Sequence, residues 1–505
     1  MGAPGFLTRV AAGLLVAQIA LAGAGYYLWQ NSYLDKSLAS IRAKANLNAA
    51  WTDFYKDQRL WGYVDRHSIL PGERFDLMLS VKPGRPELDL SIKISRLTGG
   101  PSGLTRELVW QGDNETIKAQ QMSLSAASAG ANWNINYIVD SGADWRSGVY
   151  VVDALGADGV TDENVALFVV RPAKPSGDIL VKISGNAVQA QNPWGGGSLA
   201  GASLFADQGA MASFDRPSAP SLMDAEIYFL IWIENLARDA KLDVGYISDF
   251  DLHQNPALMD GYKLFISGGR DDYWTREMFD AVENRIFKQG KNVAFLGANS
   301  AHWQVRYADI DAMPGAASRG RQIIAYRNSD DPVASRFGDP RQAAALLTKS
   351  FRWQSRRPET MLTGIAAQED SEADASDPGA DYTVIDATLP LFDGTGWKNG
   401  DQIANIIGGA WGNRDPLGDG KRLWDQALSL NPKLPAENIK LLFSGSPIGR
   451  SGAKGLAEAV FWQSPAGAKV FSAGSLHWAW GLGRPGVESE DFKRFNRNLI
   501  AAMLK

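Results

Sequence analysis

Cysteine is absent from the 505 residues. That absence excludes a disulfide scaffold, a thiolate-ligated zinc or iron–sulfur site and any thiol nucleophile. Histidine is scarce, with only His67, His253, His302 and His477, which argues against a His-rich metal cage. Positive charge is not in excess: 51 Lys and Arg stand against 56 Asp and Glu, a net charge of -5. A nucleic-acid partner, which needs a basic footprint, is therefore not expected. The Gly195–Gly197 run is followed by no Lys-Ser/Thr pair, and no GxGxxG follows a strand, so a nucleotide site is not expected either. What is present is apolar. Hydrophobic residues make up 45% and charged residues 21%, enough to build real cores.

Val10 to Trp29 carries no charge. Twenty residues at about 1.5 Å each cross about 30 Å, one hydrocarbon core. Tyr26, Tyr27 and Trp29 close the run as an interfacial aromatic belt does. Ala22-Gly23-Ala24 resembles a small-residue cleavage site, so a removed signal peptide is the alternative. The expectation is a retained anchor over 1–30. It makes the chain a single-pass membrane protein with its body periplasmic or otherwise extracytoplasmic. Gly13, Ala17, Gly23 and Gly25, with Gln18, would let membrane-protein partners approach the helix.

Residues 31–60 read as a polar connector. From there to about 172 the pattern has period two. Phe75, Leu77, Leu79 and Val81 alternate with polar neighbours, as do Leu88, Leu90, Ile92 and Ile94. Short alternating runs between Gly, Pro, Asn and Asp turns predict an all-β sandwich over 61–172. Beyond the linker at 173–178 the grammar changes. Ile179–Ile183, Asp243–Ser248, Tyr262–Ser267 and Asn292–Gly297 read as strands. They alternate with helices near Met223–Ala240 and Trp274–Gln289. Such alternation predicts a doubly wound α/β domain over 173–505.

In an open parallel sheet ligands bind beyond the carboxyl ends of the strands. Those ends here carry Ser248, Asp249, Asp251 and His253, then Gly268 to Tyr273, then Asn299, Ser300 and His302. Each also has an ordinary structural use. Aspartates cap helices, Arg270 can pair with Asp271 or Asp272, Tyr228 suits an apolar helix face, and Glu359 suits a turn.

Six segments carry a resemblance: Asn192-Pro-Trp-Gly-Gly-Gly-Ser-Leu199, Ser213-Phe-Asp-Arg-Pro217, Ser248-Asp-Phe-Asp-Leu-His253, Ser267-Gly-Gly-Arg-Asp-Asp-Tyr-Trp274, Phe295-Leu-Gly-Ala-Asn299 and Ala473-Gly-Ser-Leu-His-Trp478. In this order the chain resembles the large (β) subunit of N,N-dimethylformamidase from about residue 130 to the end. The resemblance implies a C-terminal domain similar to class I glutamine amidotransferases (flavodoxin-like, without their cysteine) and hydrolysis of a small amide. It implies iron held by two tyrosines and a glutamate, which carry onto Tyr228, Tyr273 and Glu359. Asp249, Asp272 and Asn299 then become the groups that orient water and the leaving amine. The chain departs from the pattern at three places. Arg270 stands where the family has His, Gln191 where it has Tyr, and Gly409-Ala410-Trp411 where it has Gly-Tyr-Glu. A non-catalytic accessory or binding subunit of a membrane complex is the alternative reading.

Overall fold

The computed structural model describes residues 58–505, apart from 101–102, 124, 201–209, 219–223, 309–319, 328–329, 337–344, 355–356, 369–378, 416–438 and 450–451. Two sheets are built first. Strands β1 (Leu60–Val64), β2 (Ser68–Ile69), β3 (Arg74–Val81), β4 (Leu88–Gly100), β5 (Gly103–Gln111), β6 (Glu115–Ile117), β7 (Tyr137–Asp140), β8 (Gly148–Gly156) and β9 (Thr161–Val170) run in chain order. They form a three-stranded sheet β1-β3-β7 and a six-stranded sheet β2-β9-β8-β4-β5, with β6 on β4. Alternation explains the core between them. Phe75, Leu77 and Leu79 on one sheet meet Ile92, Ile94 and Phe168 on the other.

The second assembly centres on a nine-stranded sheet. Its elements are β10 (Gly177–Ile183), α1 (Gly185–Gln191), β11 (Met211–Ser213), α2 (Asp224–Ala240), β12 (Val244–Ser248), α3 (Asp249–Gln254), β13 (Tyr262–Arg270), β14 (Tyr273–Thr275), α4 (Arg276–Phe287), β15 (Asn292–Ala298), β16 (Trp303–Tyr307), β17 (Gln322–Ile324), β18 (Ala366–Ala367), β19 (Ala380–Val384), β20 (Gln402–Ile407), β21 (Gly412–Asn413), β22 (Lys440–Gly445), β23 (Ala457–Gln463), β24 (Lys469–Ser472) and α5 (Glu490–Met503). The order is β12-β10-β13-β15-β24-β23-β22-β19-β20. Pairing is parallel from β12 to β24 and antiparallel from β24 to β20.

The expected doubly wound, glutamine-amidotransferase-like α/β domain is corrected by this arrangement. Strand outweighs helix, 39% against 23%, and is spread over many sheets. The physical reason lies in the connections. A doubly wound sheet needs a crossover helix after each strand, and that rhythm stops after β15. From β19 onward neighbours pair antiparallel, which needs only turns. Two small sheets take up further chain: β11-β17-β16-β14 draws strands from both before and after β15, and β18-β21 lies between β15 and β24.

Local signals still place individual elements. Thr275 caps α4, its hydroxyl accepting from the Met278 amide. Met278, Val282 and Ile286, one stripe at helical spacing, are fully buried. Each contributes about 1.5–3 kcal/mol against leaving it in water. Helix α2 crosses β4 closely because Gly99 allows it: a Cβ there would lie 2.5 Å from the Ile231 carbonyl oxygen. Arg96 then forks onto Glu234, with both nitrogens 2.9 Å from a carboxylate oxygen.

Among the described residues no helix is long and apolar enough to cross a membrane. The expected anchor over Val10–Trp29, its partner surface and most of the connector lie outside the described residues. The expected single-pass membrane placement with an exported body is corrected accordingly, since no described helix provides a span.

Candidate active site

Strands β13 and β15 end side by side, and their polar followers are tied together. The Ala301 amide donates to the Asp271 carbonyl at 2.9 Å, and the Trp303 amide to the Asp272 carbonyl at 2.7 Å. The turn is tight: Asn299 and Ala301 both sit at φ 58. Asn tolerates that left-handed conformation, whereas for Ala it costs about 1–2 kcal/mol. Strain of this kind is characteristic of functional turns.

His302 reaches Glu359 across 57 residues of chain, Nδ1 to Oε1 at 3.1 Å. The same Oε1 accepts from Arg352 Nη2. Burial alone would raise the Glu359 carboxyl, but Arg352 and His302 outweigh it and hold the group down at about 2. Its other oxygen, Oε2, is buried without a hydrogen-bond partner, and so is Asn299 Oδ1. Both residues line one cavity of about 10 Å³ with Ser300, Thr363 and Ser472. That is about the space of a single water. Asp272 is close by in electrostatic terms. Burial pushes its carboxyl up to about 6, against the pull of Arg270 and His302, and its Oδ1 also lacks a partner.

The structure thus gathers Asp272, Asn299 and Glu359 around His302. Asp249 belongs elsewhere. Lys182, in β10 and wholly buried, donates to Asp249 at 2.5 Å and to Asp271 at 2.7 Å. The Asn186 amide donates to the other Asp249 oxygen at 2.7 Å. Buried Glu226 lies beside this network. Burial, then Asp271, push its carboxyl up to about 8, with Lys182 opposing. Tyr273 is 1% exposed, its ring set in an aromatic cluster with Phe214, Phe250 and Tyr307. Tyr228 is half-buried against Gly483, 3.4 Å from where a Cβ there would lie.

One Glu359 oxygen is already shared by a guanidinium and an imidazole, and Tyr228 is engaged in helix packing. Among the described residues no group of three or more His, Cys, Asp or Glu could hold a metal ion. Of the donors that the resemblance implies, Glu359 stands at the small cavity with Arg352 and His302, Tyr273 in the cluster with Phe214 and Tyr307, and Tyr228 against Gly483.

Several residues had not been singled out from the sequence. Lys182 was visible as the one charge in an apolar strand, and Glu226 as an acid early in an apolar helix. Arg352 carried no local signal. His477 is buried with both ring nitrogens unpartnered, and its ring stacks on Trp480 at 3.3 Å between centroids. Burial, then Arg484, push it down to about 3, so it is neutral.

These observations define a strand-rich protein with a buried carboxylate–imidazole centre at the carboxyl edge of a mixed sheet. Residues 94–491, well over half of the chain, match the family model described as N,N-dimethylformamidase beta subunit-like, C-terminal, and the chain belongs to that family. It is a dimethylformamidase-like subunit, of a family with a hydrolase and amide-cleaving sense. No curated protein matches it.

Proposed function

We propose that the chain hydrolyses a small linear amide at the ends of β13 and β15. One observation supports this most: two buried acceptors without partners, Glu359 Oε2 and Asn299 Oδ1, belong to residues lining one water-sized cavity, and His302, which bonds Glu359, also acts on the Asp272 carboxyl. A water there donates a hydrogen to each acceptor and keeps its lone pairs free. Glu359, held ionised by Arg352 and His302, orients that water but is too weak a base to deprotonate it. Asp272, near 6, is matched to proton transfer around neutral pH. It takes a proton as the water oxygen bonds to the amide carbon, and returns one to nitrogen as the carbon–nitrogen bond breaks. The products are a carboxylic acid and an amine.

The test is release of amine and formate from N,N-dimethylformamide and formamide by the full chain. Asp272→Asn should lower the rate by about 10²-fold or more. A folded wild type that turns over neither compound overturns the proposal. A binding module without turnover is the second reading, favoured by the tight closure of this cavity at about 10 Å³.

A further inference from the structure

A second, roomier cavity lies elsewhere among the described residues. It measures about 330 Å³ and lies between the six-stranded sheet and the edge of the nine-stranded sheet. It shares no lining residue with the small cavity at Glu359. Its volume falls in the range of small-molecule pockets, about 300–1,000 Å³. Its position fits a ligand site too. Ile183, Gly185 and Ser248 place it at the carboxyl ends of β10 and β12, where open sheets take ligands.

The wall has an apolar middle and polar ends. Leu97, Val151, Leu167 and Val169 face it from the six-stranded sheet, and Ile183 and Ile227 from the opposite side. Along β9 the wall runs from Glu163 to Val169, about 20 Å at a strand's rise. The Glu163 end also carries Arg106 and Asn164. The Val169 end carries Arg66, His67, Arg216 and Arg321, and no carboxylate. Over the whole lining, four arginines stand against Glu163 alone. Arg321 is bound to Asp215 and Arg216 to backbone carbonyls, so both cations are fixed in place. Arg66 is exposed, at the rim, and bonded to its neighbour Asp65.

We propose that this slot binds a monoanionic amphiphile of the alkyl carboxylate class. The carboxylate sits at the Arg66 end and the chain lies along Val169, Leu167 and Val151. The slot's length and its apolar wall suit an extended chain, and although Arg66, Arg106 and Arg321 each have a carboxylate partner, the guanidiniums gathered at the Val169 end suit a negative head. Hydrolysis of an amide at Asp272 is not required for any of this.

The experiment is a calorimetric titration of the full chain with decanoate, below its micelle concentration, with decanol as the uncharged control. Decanoate should bind saturably at one site per chain and raise the melting temperature. Decanol should bind about tenfold more weakly or worse, and Arg66→Glu should weaken decanoate about tenfold while leaving decanol unchanged. Leu167→Trp fills the slot and should abolish binding of both. If that variant misfolds by its melting profile, Leu104→Trp blocks the same slot from β5. No decanoate binding by folded wild type overturns the proposal. So does equal binding of decanol, or undiminished binding by a folded slot-filling variant.

Discussion

Glu226 offers the sharpest test of the electrostatics behind the sheet's carboxyl edge. It is 5% exposed, in the first turn of α2. It lies so close to β13 that a Cβ on Gly269 would come within 2.4 Å of its Oε1. A helix N-terminus favours the ionised carboxylate. Burial, with Asp271 behind it, wins and raises the group from 4.5 to about 8. Each pH unit between those values is worth about 1.4 kcal/mol, so ionising Glu226 in the folded chain costs about 5 kcal/mol at most. The sign follows from the raised value. The folded state binds the extra proton, so the contribution is fully present below 4.5 and lost as pH rises through about 8. Gln mimics the neutral acid and does not titrate. The stability of Glu226→Gln relative to wild type should therefore grow by about 4 kcal/mol from pH 5 to pH 9. Urea midpoints of both proteins at pH 5, 7 and 9 measure this, and the difference between them cancels every other titrating group. A gap that stays constant across that range would refute the reasoning, because Glu226 would then be ionised throughout.

Lys182→Met leaves Asp249 and Asp271 buried with no cation between them, and should cost about 3–5 kcal/mol in chemical denaturation. Glu359→Gln should flatten the acid limb of the stability profile. The wild type holds this contribution above 4.5 and loses it as pH falls through about 2, while the variant has none to lose. Arg96 and Glu234 join the six-stranded sheet to α2 as a nearly buried fork, with side chains 8% and 11% exposed. A double-mutant cycle with alanine should return a coupling of about 1.5 kcal/mol or more, and a value near zero would mean that water has replaced the pair.

What the sequence made legible was local. The apolar stripe of α4, the alternation in β3 and the strands at 262 and 292 follow from period and capping, and they stand within a few residues of where the pattern puts them. Asp272 and Asn299 were visible as candidates for the same reason, since Asn299 follows β15 directly and Asp272 lies two residues past β13. Partnerships across the chain were not. Nothing local links His302 to Glu359, or Lys182 to Asp249 at a separation of 67 residues. The fold class failed at β19 onward, where Tyr382, Val384, Phe443 and Phe471 build one sheet through antiparallel neighbours. A short apolar strand looks alike in parallel and antiparallel company, so its direction cannot be read from its own residues.

Two of the departures from the family pattern, Gln191 and Arg270, meet directly, and the third begins one residue after Gly409, which Arg270 also contacts. Gln191, with its amide oxygen toward Arg270, accepts from Nε at 3.0 Å and from Nη1 at 3.1 Å. Arg270 Nη2 donates to the Gly409 carbonyl at 3.2 Å. Gly409 in turn lies against His477, whose Nε2 is 3.3 Å from where a Cβ on that glycine would be. A guanidinium has five donors in a fixed plane, so it requires acceptors on several sides. Gln191 supplies one, where the family pattern has Tyr, and the carbonyl of Gly409, a glycine in both, supplies another. The changes are therefore matched: Arg270 with a tyrosine at 191 would lose the amide oxygen that takes two of its hydrogens. Arg270 also pulls the Asp272 carboxyl down against burial, which keeps that group near 6 and within reach of neutral pH. The substitutions that remove a histidine, two tyrosines and a glutamate relative to the pattern thus leave a coherent set of groups beside Asp272. Any substrate difference between this chain and that pattern should map to Gln191 and Arg270, with Ala410 and Trp411 beside them. Arg270→His alone should raise the Asp272 value further as its cation is lost, moving the acid limb of any amide-hydrolysis profile to higher pH.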